Sequence, residues 1–95
     1  MMTMDMEAMA KAKDHFAARK VGSELVLVPL KGSVAELDEM FTISEVGSVI
    51  WEHIAPDSTE HTLVEAILEE FDIDRDTATA DLRDCLTVLS THMRI

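Results

Sequence analysis

The residues able to do chemistry are few and scattered. Among 95 residues there is one cysteine, Cys85. A reactive thiol needs a base or a positive neighbour to hold it as thiolate. Cys85 instead falls on a helical apolar stripe with Ala78, Leu82, Leu86 and Leu89, and reads as core. The four histidines, His15, His53, His61 and His92, are dispersed. Only His61 and Glu65 have the i, i+4 spacing that sets two metal ligands on one helical face. Taking Thr62 as the cap of that helix puts His61 outside it and weakens the pair. There is no Gly-rich phosphate loop and no recognisable Ser-His-Asp or Cys-His spacing. The carboxylates are many but spread over helical faces, as on solvated surfaces. This inventory points away from an enzyme, a metal centre or a cofactor site, and toward a protein that binds.

Composition narrows what it binds. Nineteen Asp and Glu against eight Lys and Arg give a net charge of -11. That balance opposes phosphate backbones and anionic membrane surfaces. The segment around Asp74, Asp76, Asp81 and Asp84, with only Arg75 and Arg83 to set against them, is wrong for a helix that reads a DNA groove. A single cysteine excludes an internal disulfide and any zinc site with two Cys ligands. No apolar run reaches the ~20 residues of a membrane span. The N-terminal stretch lacks the apolar centre of a secretory signal, so the expectation is a cytoplasmic protein with no nucleic-acid or membrane partner.

The elements that position these residues follow from the periodicities. Residues 1–15 form a tail or short helix holding five of the seven methionines, with Met2, Met6 and Met9 at helical spacing. Residues 16–95 make one domain. Ala17–Val21 is a short strand, Gly22 and Ser23 turn the chain, and Leu25–Val28 is a second strand ended by Pro29. Lys31, Gly32 and Ser33 turn again, and Met40–Ile43 is a third strand, beginning as early as Leu37. Three helices follow. Ser44 caps the first, whose buried face carries Val46, Val49, Ile50 and Ile54 before Pro56 stops it. Thr62 and Glu65 have capping-box spacing for the second, with Leu63, Ile67 and Phe71 on one face. Asp74 caps the third. The expected fold is α+β, an antiparallel meander of three strands covered by three helices.

Three blocks in order carry a family resemblance. They are Ile43-Ser44-Glu45-Val46-Gly47-Ser48-Val49-Ile50-Trp51, then Thr62-Leu63-Val64-Glu65-Ala66-Ile67, then Phe71-Asp72-Ile73-Asp74 with Ala80-Asp81-Leu82, Leu86 and Leu89. Together they resemble the PqqD-like family over roughly Leu25 to Leu89. The sequence departs from the family's pattern at Ser44 in place of Asn, at Ala55-Pro56-Asp57-Ser58 in place of an Asp-Gly turn, and near Met93-Arg94 in place of Gly-Leu. Independently of the family, a Gly inside a helix costs ~1 kcal/mol relative to Ala, so Gly47 marks a close backbone approach. Trp51, one turn on, reads as the plug between sheet and helices.

The resemblance implies a winged-helix-like domain that recognises the leader of a ribosomally made precursor peptide and presents it to a modifying enzyme such as a radical-SAM enzyme, a leader peptidase or a cyclase. The leader would add as a strand to the open edge at Asp38, Glu39, Met40, Phe41, Thr42 and Ile43. Its apolar side chains would enter a cleft walled by the third helix through Thr79, Leu82, Arg83, Leu86, Thr87 and Ser90. Asp38 and Glu39 would attract a Lys or Arg of the leader, and Arg83 a carboxylate. Alternating strand residues face opposite sides, which leaves open whether Met40 and Thr42 or Phe41 and Ile43 face the core. The competing expectation is a general adaptor, or a homodimer, built on the same edge.

Overall fold

The computed structural model describes residues 6–32 and 34–93. The chain forms helix α1 (Met6–Lys13), strands β1 (Phe16–Val21), β2 (Glu24–Lys31) and β3 (Val34–Ala35), a 3-10 turn at Leu37–Glu39, strand β4 (Phe41–Ile43), and helices α2 (Glu45–His53), α3 (Glu60–Glu70) and α4 (Arg75–Met93). The fold is α+β as expected, with one strand and one N-terminal helix more than the meander and three helices read from periodicity.

β2 is the centre of the antiparallel sheet. β1 pairs along its length, from Phe16 opposite Pro29 to Val21 opposite Glu24. The other flank is shared: β4 pairs at Leu25–Leu27 and β3 at Leu30 and Lys31. The expected end of β2 at Pro29 is therefore corrected, since the strand runs on to Lys31. Proline lacks an N–H for the ladder, but β4 has ended by this point. The Pro29 carbonyl accepts from the Glu36 amide, while Leu30 N–H donates to the His15 carbonyl. The β1–β2 turn needs Gly22 at φ +63°, a left-handed conformation that other residues adopt at a cost.

The expected strand start near Leu37 is also corrected. Leu37–Glu39 coil into the 3-10 turn, and Met40 leads into a strand of only three residues. Val34 and Ala35 have already used the flank beside Leu30 and Lys31, so the chain must loop outward before it can rejoin β2.

The helices cover one sheet face. Leu25 and Leu27 of β2 and Ile43 of β4 meet Ile50, Trp51 and Ile54 of α2, Leu63, Val64 and Ile67 of α3, and Ala78, Leu82, Leu86 and Leu89 of α4. Trp51 is 6% exposed and takes Phe16 edge-on, with ring centroids 6.0 Å apart. α1 joins this core, since Met6 is buried and Met9 is 0% exposed. Its last residue, Lys13, donates to the Trp51 and Ile54 carbonyls at the C-terminal end of α2. A cation there complements the negative helix end. Met2 lies outside the described residues.

Local caps mark the joints. Ser44 accepts from the Gly47 amide, as expected. For α3 the cap is Thr59 rather than Thr62: Thr59 accepts from the Thr62 amide, and the Thr62 hydroxyl accepts from the Thr59 amide. The reason is the turn at Pro56 and Asp57, which delivers Thr59 in an extended conformation so that Glu60 opens the helix. Asp74 accepts from the Thr77 amide at 2.8 Å and starts α4.

Candidate functional site

β4 is an edge strand. Its inner side bonds to β2 at Leu25–Leu27, and among the described residues no further strand pairs with its outer side. Ile43 is buried, Phe41 half-buried and Thr42 exposed. Phe41 and Ile43 are thus the set facing the helices, which fixes the parity that alternation left open.

Between β4 and α4 runs a groove in two parts. The first, about 490 Å³, takes Thr42, Ile43 and Ser44 from the strand and its junction, with Val46 from α2. Asp81, Asp84, Cys85 and Val88 of α4 form its opposite wall. The second, about 450 Å³, lies between Pro29, Asp38, Glu39 and Met40 on the sheet side and Thr91 and His92 on α4. His92 of the second part stacks on Phe41, rings 3.9 Å apart and within 7° of parallel. Phe16 meets the Phe41 ring edge-on at 6.1 Å and braces it from the core side. Two large apolar side chains stand open on the rims, Val88 at 42% and Met40 at 55% exposed.

Gly47 sets how close β4 lies to the helices. A Cβ placed there would stand 2.9 Å from the Ile43 Cβ. Only hydrogen at that position allows the first turn of α2 to sit against the last residue of β4.

The sequence-derived site residues divide in two. Met40, Thr42, Ile43, Asp38 and Glu39 border the groove, although Asp38 and Glu39 lie in the 3-10 turn and not in a strand, while Phe41 reaches it only through its stack on His92. On α4, Leu82 and Leu86 are buried in the core. Thr79, Arg83, Thr87 and Ser90 are not among the groove-lining residues. Arg83 makes a two-pronged pair with Glu60 of α3, Nε and Nη2 each 3.1 Å from a carboxylate oxygen. That bond holds the Glu60 carboxyl below the usual range and raises the Arg83 guanidinium. The α4 wall of the groove is the opposite flank, Asp81, Asp84, Cys85 and Val88. The hydroxyls of Thr79, Thr87 and Ser90 donate to carbonyls one turn back on their own helix.

Cys85, read as core, is only part of it. It borders the groove while packing against the core, and burial pushes its thiol up to about 11. A neutral thiol there is an apolar lining, not a nucleophile. His61 lies inside α3, not before it, with Nε2 3.9 Å from Glu65 Oε1. Glu65 is held chiefly by Arg75, whose hydrogen bond lowers its carboxyl, and no group of three metal-ligating side chains occurs among the described residues.

The chain is thus an α+β domain in which a short open strand, β4, is faced by a long helix, α4, across a groove. Residues 24–93 match the family described as Coenzyme PQQ synthesis protein D (PqqD), and the chain belongs to that family. α1 and β1 precede the matched stretch. Among solved structures, the chain is similar to that described as TbiB1 in complex with the TbiA(beta) leader peptide, at 31% identity and TM-score 0.60, covering 82% of this chain and 85% of that one. Comparison with curated proteins finds no match.

Proposed function

We propose that this protein is a non-catalytic carrier that captures the leader of a ribosomally made precursor peptide and presents it to a separate modifying enzyme. The leader adds as a strand to β4, and its alternate side chains enter the groove toward Ile43, Val46, Cys85 and Val88. Main-chain hydrogen bonds hold the backbone and the apolar floor supplies selectivity. The observation that carries this reading is the open β4 edge beside that groove, in a chain 31% identical to one solved with a leader peptide. A leader disordered when free loses entropy on binding, which places the affinity near micromolar, about -8 kcal/mol. The modifying enzyme is of the kind that acts on such precursors, a radical-SAM enzyme, a leader peptidase or a cyclase.

The test is a titration of the full chain with synthetic leaders from precursor genes neighbouring its own, read by fluorescence anisotropy. Saturable binding by one leader, lost when its apolar residues are changed to Ser, is expected. Absence of binding by every neighbouring leader overturns the proposal. Sedimentation of the same samples separates the rival use of the edge: a dimer that leaders do not dissociate assigns β4 to self-association.

A further inference from the structure

Five large apolar side chains stand exposed among the described residues, and three of them fall close together in the chain: Val34 at 62%, Leu37 at 66% and Met40 at 55%. Exposed apolar residues scattered singly are ordinary, whereas several together mark a surface that meets another molecule. Val34 opens β3, and Leu37 begins the 3-10 turn that Met40 caps before β4. Residues three apart in a 3-10 turn lie on the same side. The turn is held in place: the Glu36 amide donates to the Pro29 carbonyl at 2.8 Å, and the Met40 amide to the Leu37 carbonyl at 3.3 Å. Its apolar side chains are thus displayed on a fixed backbone at the start of β4.

We infer that the modifying enzyme docks on this turn, on Val34 and Leu37, with Met40 shared between the enzyme and the groove. This rests on the reading that β4 takes the leader as an added strand, and names the surface that the leader's enzyme uses. The direction of the chain carries the argument. β4 runs from Phe41 to Ile43, antiparallel to β2. An antiparallel strand on its outer side continues that pattern and makes the more stable pairing. Such a leader runs with its C-terminal end toward Phe41 and leaves past Met40, along the part of the groove that Pro29 and Met40 line. A leader precedes the segment to be modified, so that segment emerges beside the exposed turn. The enzyme has to receive the chain at this end, and an apolar hollow beside the entrance to its own site would seat Val34 and Leu37. Three side chains alone fall short of a stable interface, which buries at least about 1,200 Å². The precursor, held by both proteins, offsets this by raising their effective concentration.

The experiment titrates the full chain, saturated with its leader, with the modifying enzyme encoded beside its gene. Three forms are compared: the unaltered chain, the Val34→Ser/Leu37→Ser double variant, and Val21→Ser. Val21, 58% exposed, lies at the opposite end of β2 and controls for the loss of an exposed apolar side chain. Thermal midpoints and leader affinity, read by anisotropy, should be the same for all three. The enzyme is expected to bind the double variant at least about tenfold more weakly than the unaltered chain, and Val21→Ser as tightly as the unaltered chain. Equal enzyme binding by the unaltered chain and the double variant, whether tight or absent, overturns the docking inference and leaves leader capture standing. An equal loss in Val21→Ser and the double variant overturns it as well. A dimer in sedimentation that the double variant abolishes, with enzyme binding unchanged, assigns the turn to a second copy instead. Absence of leader binding by the unaltered chain overturns both readings.

Discussion

At the residue scale the site depends on two side chains that do no recognition themselves. Gly47 lacks a Cβ where one would stand 2.9 Å from the Ile43 Cβ, an atom tied to the strand backbone and unable to swing away. Ala at an ordinary helix position gains about 1 kcal/mol over Gly. Here that gain is offset by overpacking, which costs about 1–3 kcal/mol. Gly47→Ala is therefore expected to lower unfolding stability in a denaturant titration and to weaken leader binding, because β4 must shift outward. A stabilised variant would show that Ile43 and α2 are not in this contact. Cys85 is the second. With its thiol pushed up to about 11 by burial, carbamidomethylation followed by mass spectrometry should be slow at pH 8 and accelerate with pH up to that value. A leader seated in the groove should slow it further. Rapid labelling at pH 8 would show that Cys85 is not packed as described.

The element scale shows what sequence can and cannot specify. Ser44, Gly47 and Trp51 were legible because cap, close approach and plug are local demands, each met within a few residues of chain. The capping box of α3 was displaced by one turn because Thr59 and Thr62 both have cap chemistry, and only the turn at Pro56 and Asp57 selects Thr59. The groove wall of α4 was not legible. Leu82, Leu86 and Leu89 identify the buried stripe, but its two flanks, Arg83 with Thr87 and Asp81 with Val88, are equivalent until a neighbour is placed. α3 takes the Arg83 flank through Glu60, which leaves Asp81, Asp84, Cys85 and Val88 to face β4. The short strand β3 was hidden for a related reason, since two residues carry no alternation. The carboxylates at these joints set the acid response. Asp74, Glu60 and Glu65 are each held below their ordinary range by hydrogen bonds, from Thr77, Arg83 and Arg75. A depressed carboxylate contributes stability that is present above its unfolded value, near pH 4, and is lost as pH falls through its folded value. The thermal midpoint should therefore fall below about pH 4, and fall less in the Asp74→Asn/Glu60→Gln/Glu65→Gln variant. An equal drop in both would place the acid sensitivity elsewhere.

At the scale of the whole molecule, the N-terminal helix is part of the core although it precedes the stretch matched to the family. Met6 and Met9 carry α1 into the core, where α1 meets α4, and the flexible methionine side chain packs there without a polar handle. Met9→Ala removes a side chain with 0% exposure and should cost about 2–5 kcal/mol in chemical denaturation. A cost under about 0.5 kcal/mol would mean that α1 is detached in solution. Charge is also divided across the molecule. Most described cations lie on α1, β1 and β2, whereas the helices around the groove are acidic, so a net charge of -11 does not describe every surface equally. Neither feature alters the central geometry, a sheet edge and a helix wall with a groove between them.

That geometry is tested most directly by amide hydrogen exchange, followed residue by residue by NMR, with and without a leader that saturates the protein. The account predicts new protection in β4, at Phe41–Ile43, accompanied by shifts at Asp81, Asp84, Cys85 and Val88. Protection centred instead on β1 or α1, with β4 exchanging as in the free protein, would contradict it.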